Sequence, residues 1–191
     1  GTKIAIVSSK PQTTRTRIMG VLTTDDNIQL VFTDTPGFHK SKTKLSNYML
    51  KSAESSIGDV DMVIFVVEAP KGIGDLEKDI ISKIKTRKVP AIAIINKIDL
   101  IEDKEKIMPL MIKLNELYTF DEIIPVSVTQ NDGVSIVKDV LSRYTEESPH
   151  YFPDDMLTDQ PERVLVSEII REKALRFLDK EVPHGIAVGI E

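Results

Sequence analysis

The chain has 191 residues, 41% hydrophobic and 29% charged, which is room for one full globular domain and part of a second. It has no cysteine, which excludes a disulfide framework, a cysteine metal site and a thiol nucleophile, and fits a reducing compartment. A net charge of −5 argues against broad electrostatic binding of nucleic acid, and no apolar run nears the roughly 20 residues of a membrane span.

Taken in order, Ile4–Val7 reads as a first short strand. Thr16–Thr24 and Ile28–Thr33 read as two more, and the polar turn Asp25-Asp26-Asn27 between them predicts an antiparallel pair. Leu45, Met49, Ser52 or Ala53, and Ile57 recur at helical spacing. Met62–Val67 (MVIFVV) is a continuous apolar run, the mark of a strand buried on both faces. Leu76–Lys85 is helical, with Ile80, Ile81 and Ile84 on one side, and Ala91–Ile95 (AIAII) is a second buried strand. Pro109 falls in the first turn of the next helix, where its missing N–H costs little. Ile123–Val126 is a strand, and Val134–Tyr144 a helix after the Asn131-Asp132-Gly133 turn.

The composition then shifts. Glu147–Pro161 holds three prolines and four acidic residues and reads as a linker. Glu162–Leu178 reads as an amphipathic helix with Val166, Ile169, Ile170, Ala174 and Phe177 on its apolar side. Ile186–Ile190 reads as a last strand. The alternation of apolar strands with helices predicts an α/β domain with a mostly parallel sheet. No N-terminal signal peptide is expected, since no basic stretch precedes an apolar core.

Three strand ends carry chemistry. Leu30–Thr33 runs into Asp34-Thr35-Pro36-Gly37. A carboxylate at that place can hold Mg²⁺, and the glycine N–H can reach a terminal phosphate; alone, the four residues are equally a Pro-Gly turn. Ala91–Ile95 runs into Asn96-Lys97-Ile98-Asp99. One carboxylate can accept both N1–H and the exocyclic amine of guanine, a donor pair that adenine lacks. The Lys97 stem can cover the base, and Asn96 can tie neighbouring loops. Alone, this too is a polar turn before a helix. Ile123–Val126 runs into Ser127-Val128, where a loop N–H could meet the guanine carbonyl. The order Asp-Thr-Pro-Gly, Asn-Lys-Ile-Asp, Ser at successive strand ends resembles the guanine-nucleotide motifs of the translation-factor-related GTPases.

The resemblance extends further. PQTTRTRIMG (Pro11–Gly20) looks like the first switch segment of the Era family of bacterial GTPases, and DTPGFHK (Asp34–Lys40) matches its second. SPHYFPDDMLTDQPERVLVSEIIREKALRFLDKEVP (Ser148–Pro183) resembles that family's linker and the start of its RNA-binding KH domain. The resemblance implies a Ras-like P-loop GTPase fold over residues 1–146, a linker over 147–161, and the start of an α+β type II KH domain over 162–191. It implies GTP hydrolysis with Mg²⁺, and a role in small-subunit (30S) assembly through the 3′ end of 16S rRNA. It implies a monomeric cytoplasmic protein, partly at the inner face of the membrane. On the matching positions, Asp34 would serve Mg²⁺, Gly37 would sense the γ-phosphate, and Thr13 and Thr14 would be candidates for closing on Mg²⁺ and γ-phosphate, with Thr14 taken as the metal ligand. Asn96, Lys97, Asp99, Ser127 and Val128 would read guanine. Phe38 follows Gly37 where many GTPases place a glutamine that orients water. A phenyl ring cannot do so, and slow intrinsic turnover is expected.

The family also has a Gly-x-x-x-x-Gly-Lys-Ser/Thr phosphate loop directly after its first strand, and no such motif occurs in the 191 residues. With Ile4–Val7 as that strand, a loop and helix on the order of 20 residues are expected after Val7. Residues left out for want of order, a deletion, and a natural pseudo-GTPase all account for the gap. The first is favoured, and with it a structure without bound GTP or GDP. Gly185 and Gly189 are too strand-like to be the Gly-x-x-Gly loop of a KH domain. His39, His150 and His184 are scattered and form no metal cluster. On the last helix, five basic residues meet five acidic ones (Arg163, Arg171, Lys173, Arg176 and Lys180 against Glu162, Glu168, Glu172, Asp179 and Glu181), so a packed helix is expected before an RNA-binding stripe. The rival reading is a non-enzymatic RNA-binding assembly factor with weak nucleotide binding or none.

Overall fold

The computed structural model describes residues 4–6, 18–35, 60–177 and 188–190. The chain packs as two units, Gly1–Ala53 with Glu147–Glu191, and Glu54–Glu146.

The second unit holds β3 (Val63–Glu68), α1 (Asp75–Arg87), β4 (Ala91–Asn96), α2 (Ile107–Leu117), β5 (Glu122–Pro125) and α3 (Val134–Ser142). The strands form a parallel sheet in the order β3-β4-β5. The central strand, β4, is buried from Ala91 to Ile95, which explains why its sequence is an unbroken apolar run. Around it pack Phe65, Val67, Ile81, Ile84, Leu114 and Phe120. The Phe65 and Phe120 rings stack with centroids 5.8 Å apart, and Tyr118 meets Phe120 edge-on at 4.9 Å. α1 starts where Glu77 Oε2 accepts from the Gly74 N–H at 2.9 Å, and stops at Lys88, which turns left-handed at φ 55°. Pro109 is the third residue of α2, within the first turn as expected. The parallel register sets Glu68 opposite Asn96 and Ile95 opposite Pro125. The loops that leave these strands therefore start at one edge of the sheet, where open α/β sheets hold their ligands.

The first unit holds β1 (Ile18–Thr23), β2 (Gln29–Asp34) and the helix α4 (Glu162–Phe177). β1 and β2 pair antiparallel, as the short polar turn predicts, with Ile18 opposite Asp34. Asn27 takes a left-handed conformation (φ 59°) in that turn. The stretch that reads as a linker packs against this hairpin. The Val21 N–H donates to Leu157 O at 2.9 Å, and Thr158 Oγ1 donates to Met19 O at 2.6 Å. The Gln29 side-chain amide makes a reciprocal pair with the Phe152 backbone, at 2.9 and 3.0 Å. His150 closes the row on Asn27 O at 3.1 Å.

Three expectations need correction. Ile4–Ile6 is not a strand: the backbone bends at Ala5, and the side chains are wholly or partly buried. A Cβ on Gly20 of β1 would collide with Ile4 Cδ1, so these apolar residues serve as packing, not as a sheet member. Val7 lies outside the described residues. Val188–Ile190 likewise has no strand structure. Lastly, α4 is turned over. Val166, Ile169, Ile170 and Phe177 are exposed, while Arg171, Glu172 and Leu175 are buried. Burial of two charges is tolerated because each is paired along the helix, Arg171 Nε with Glu168 Oε1 at 2.8 Å and Glu172 Oε1 with Arg176 at 2.8 Å. The expected helix over residues 45–57 lies outside the described residues.

Candidate guanine-nucleotide site

The site is built where β4 and β5 end. Asn96 is the last residue of β4. Its Oδ1 accepts the Lys97 N–H at 2.8 Å and, across the loops, the Val128 N–H at 3.3 Å. Lys97 then turns left-handed (φ 67°), a conformation a residue with a side chain adopts only when its surroundings enforce it. The turn feeds a short 3₁₀ helix, Ile98–Leu100, which carries Asp99. The Ile98 N–H donates to Val126 O at 3.3 Å, a further tie to the end of β5.

Ser127 is 1% exposed. Its hydroxyl donates to Asp99 Oδ1 at 2.6 Å, accepts the Gln130 N–H at 3.2 Å and lies 3.2 Å from Thr129 Oγ1. Ser127 and Asp132 exchange both backbone hydrogen bonds at 3.0 Å, which closes the loop on itself. Gly133 makes that closure fit: it is left-handed at φ 74°, and a Cβ there would come within 2.7 Å of Pro125 O. Asp99 itself is exposed. One carboxylate, oriented by a buried hydroxyl and open to a ligand, is what two-point recognition of a base requires.

Glu68, the last residue of β3, stands beside the lysine. Its Oε1 is 2.8 Å from Lys97 Nζ, and its Oε2 is 2.8 Å from Lys71 Nζ. The hydrogen bonds from Lys71, first, and Lys97 hold its carboxyl below the usual carboxylate range. The motif reading missed Glu68. Its signal was the first charged residue after MVIFVV, level in the sheet with Asn96.

Residues 1–97, just over half the chain, match a family model described as 50S ribosome-binding GTPase. The protein named GTPase Era of Clostridium kluyveri is 48% identical over 190 residues, and that of Clostridioides difficile (strain 630) is 46% identical over 191. The chain belongs to the Era family of GTPases. Each alignment covers 100% of this chain and 64% of the relative, so the chain spans a little under two thirds of the length of these Era proteins. A crystal structure of Era in complex with MgGDPNP and nucleotides 1506–1542 of 16S ribosomal RNA is similar, with a TM-score of 0.90 and 34% identity. That match covers 96% of this chain and 62% of the other. An Aquifex aeolicus Era variant bound to GDP and AlF4⁻ gives a TM-score of 0.89 at 34% identity, covering 95% and 62%. The fold is therefore the Ras-like P-loop GTPase fold expected from the strand-end motifs.

Of the positions the Era resemblance singled out, Asn96, Lys97, Asp99, Ser127 and Val128 are brought together by direct contacts. The Val128 N–H, expected on the base, is engaged by Asn96. Asp34 belongs to the other unit, where it ends β2 and is exposed. Thr13, Thr14, Gly37 and Phe38 lie outside the described residues. No group of three or more potential metal-ligating side chains occurs among the described residues. A single exposed carboxylate at a strand end still fits Mg²⁺, which typically takes one or two carboxylates and completes its shell with water and substrate phosphates.

Proposed function

We propose that the intact protein binds GTP with Mg²⁺ and hydrolyses it to GDP and phosphate, and that this cycle serves assembly of the small ribosomal subunit. The observation that carries the nucleotide reading is the Asp99–Ser127 hydrogen bond at 2.6 Å, with Asn96 linking the same two loops. These contacts fix an open carboxylate at the C-terminal edge of a parallel sheet, where it can accept both guanine donors. Asp34 would hold Mg²⁺, and Thr14, with Thr13 beside it, would close on the metal and γ-phosphate, which Gly37 would sense. The bound ion would neutralise charge on the β- and γ-phosphates. Lys97 would cover the base, and Ser127 would act through Asp99.

The similarity to an Era structure holding 16S rRNA nucleotides favours that RNA as the partner, although the matched family model is described by the 50S subunit. Residues 1–146 would form the GTPase domain, 147–161 the connection, and 162–191 the start of a KH domain. Attachment to the inner face of the membrane would be peripheral, as the Era resemblance implies; among the described residues, no helix is long and apolar enough to cross a membrane.

Base preference tests the site. Asp99→Asn replaces one acceptor oxygen by a donor amide, which suits the C2 carbonyl of xanthine and leaves the guanine amine unmatched. GTP affinity of the full-length variant should fall by about 100-fold or more and XTP affinity should rise. Unchanged GTP binding would remove Asp99 from the site. A wild-type protein that binds 16S rRNA but releases no phosphate from GTP would favour the non-enzymatic alternative.

A further inference from the structure

Glu68 lies outside the motifs that mark the nucleotide site, yet it is in contact with one of their residues. β3 delivers it level with Asn96, and the adjoining backbone is fixed there, since the Ala69 N–H donates to Asn96 O at 2.8 Å. Lys97 begins from an equally fixed backbone, left-handed and with its N–H on Asn96 Oδ1. Its side chain is nonetheless 43% exposed and ends on Glu68 Oε1 at 2.8 Å. A four-carbon stem tied at both ends samples few rotamers, whereas a lysine tied only at its backbone samples many. The second oxygen of Glu68 is satisfied by Lys71 at 2.8 Å. The cluster of two ammonium groups and one carboxylate thus carries one net positive charge, which suits a polyanionic ligand.

We infer that Glu68 is a positioning residue for guanine nucleotide. It holds the Lys97 ammonium so that the methylene stem stands as a ready-made cover for the base. The inference rests on the nucleotide site proposed above. It makes a prediction opposite in sign to simple electrostatics. Glu68→Gln raises the local charge by one, and if charge alone mattered the variant would bind nucleotide more tightly. If Glu68 also competed with the ligand for Lys97, its loss would tighten binding again. A positioning role demands the reverse.

The experiment is a double-mutant cycle on the full-length protein, with GDP affinity measured by titration calorimetry and thermal unfolding followed in parallel. Glu68→Gln should weaken GDP by about two- to five-fold, the range for a partly exposed ion pair. In steady-state GTP hydrolysis the loss should fall on KM more than on kcat. Lys97→Met should weaken binding too, and adding Glu68→Gln to it should cost nothing further. Tighter binding by Glu68→Gln, unchanged binding, or a loss that simply adds to that of Lys97→Met would overturn the inference. A wild-type protein that binds no guanine nucleotide would instead overturn the site on which it rests.

Discussion

Ser127 is nearly inaccessible, and its hydroxyl serves Asp99, Gln130 and Thr129 together. Replacing it with alanine removes the donor that orients the Asp99 carboxylate and leaves the Gln130 N–H without its acceptor. Ser127→Ala should therefore destabilise the protein by about 1–2 kcal/mol in urea unfolding. It should also weaken GDP by roughly ten-fold, because the carboxylate becomes free to rotate. A stability loss with unchanged GDP affinity would reduce Ser127 to a loop brace. The residue scale also shows what the sequence could and could not reveal. Asp99 was legible because its chemistry is tied to a short motif at the end of an obvious strand. Ser127 was only one serine after a strand, and its weight comes from a partner 28 residues away. Glu68 had no motif at all, since an acidic residue after an apolar run is ordinary until Lys97 is seen beside it.

At the scale of elements, β4 was readable because burial on both faces leaves only apolar residues to choose from; the same expectation fails for β3, whose Val66 is 55% exposed. Helix faces were less readable. The reading of α4 assumed that charges face water, and paired charges broke that assumption at Arg171 and Glu172. The strap over residues 150–158 was illegible for another reason: its hydrogen bonds join polar groups 123 or more positions apart, with no periodicity to announce them. His150 makes this strap sensitive to pH. Nδ1 lies 2.6 Å from Asp154 Oδ1 and Nε2 lies 3.1 Å from Asn27 O. Both partners are acceptors, so only the imidazolium satisfies both. Asp154 first, then the Asn27 carbonyl, raises the imidazole pKa above its ordinary value. The contribution to stability is then fully present below the ordinary histidine pKa and is lost as pH rises through the raised folded value. Amide exchange at the hairpin, corrected for intrinsic rates, should show opening rise across that window. His150→Gln should abolish the dependence. A wild-type profile flat through the same range would dismiss the imidazolium.

For the chain as a whole, the 191 residues carry a net charge of −5, so in the function proposed above they would offer RNA few phosphate contacts. Few phosphate contacts release few counterions, at about −0.7 in the log–log salt slope per contact on a single strand. Binding of the full-length protein to a single-stranded RNA of the 16S 3′ end should exceed binding to 23S fragments of equal length, and these 191 residues should add only about −1 to −3 to its slope. A steep slope with no preference between the two RNAs would point to non-specific electrostatics. Ile4–Val7 was expected as a strand, and its described residues, Ile4 to Ile6, do not form one. A run this short has no periodicity to separate a sheet member from packing.

The strap has one more effect. β1 and β2 form a two-stranded sheet, and a ribbon of that kind offers backbone donors and acceptors along its sides to any extended chain. Along β1 those groups are partly occupied, by Leu157 O on the Val21 N–H and by the bridge between Gly20 and Thr158. Among the described residues, the strap thus covers part of one side of the ribbon, and losing it would expose those groups to another extended chain. Proteolytic nicking near Asp155 would be felt first as turbidity.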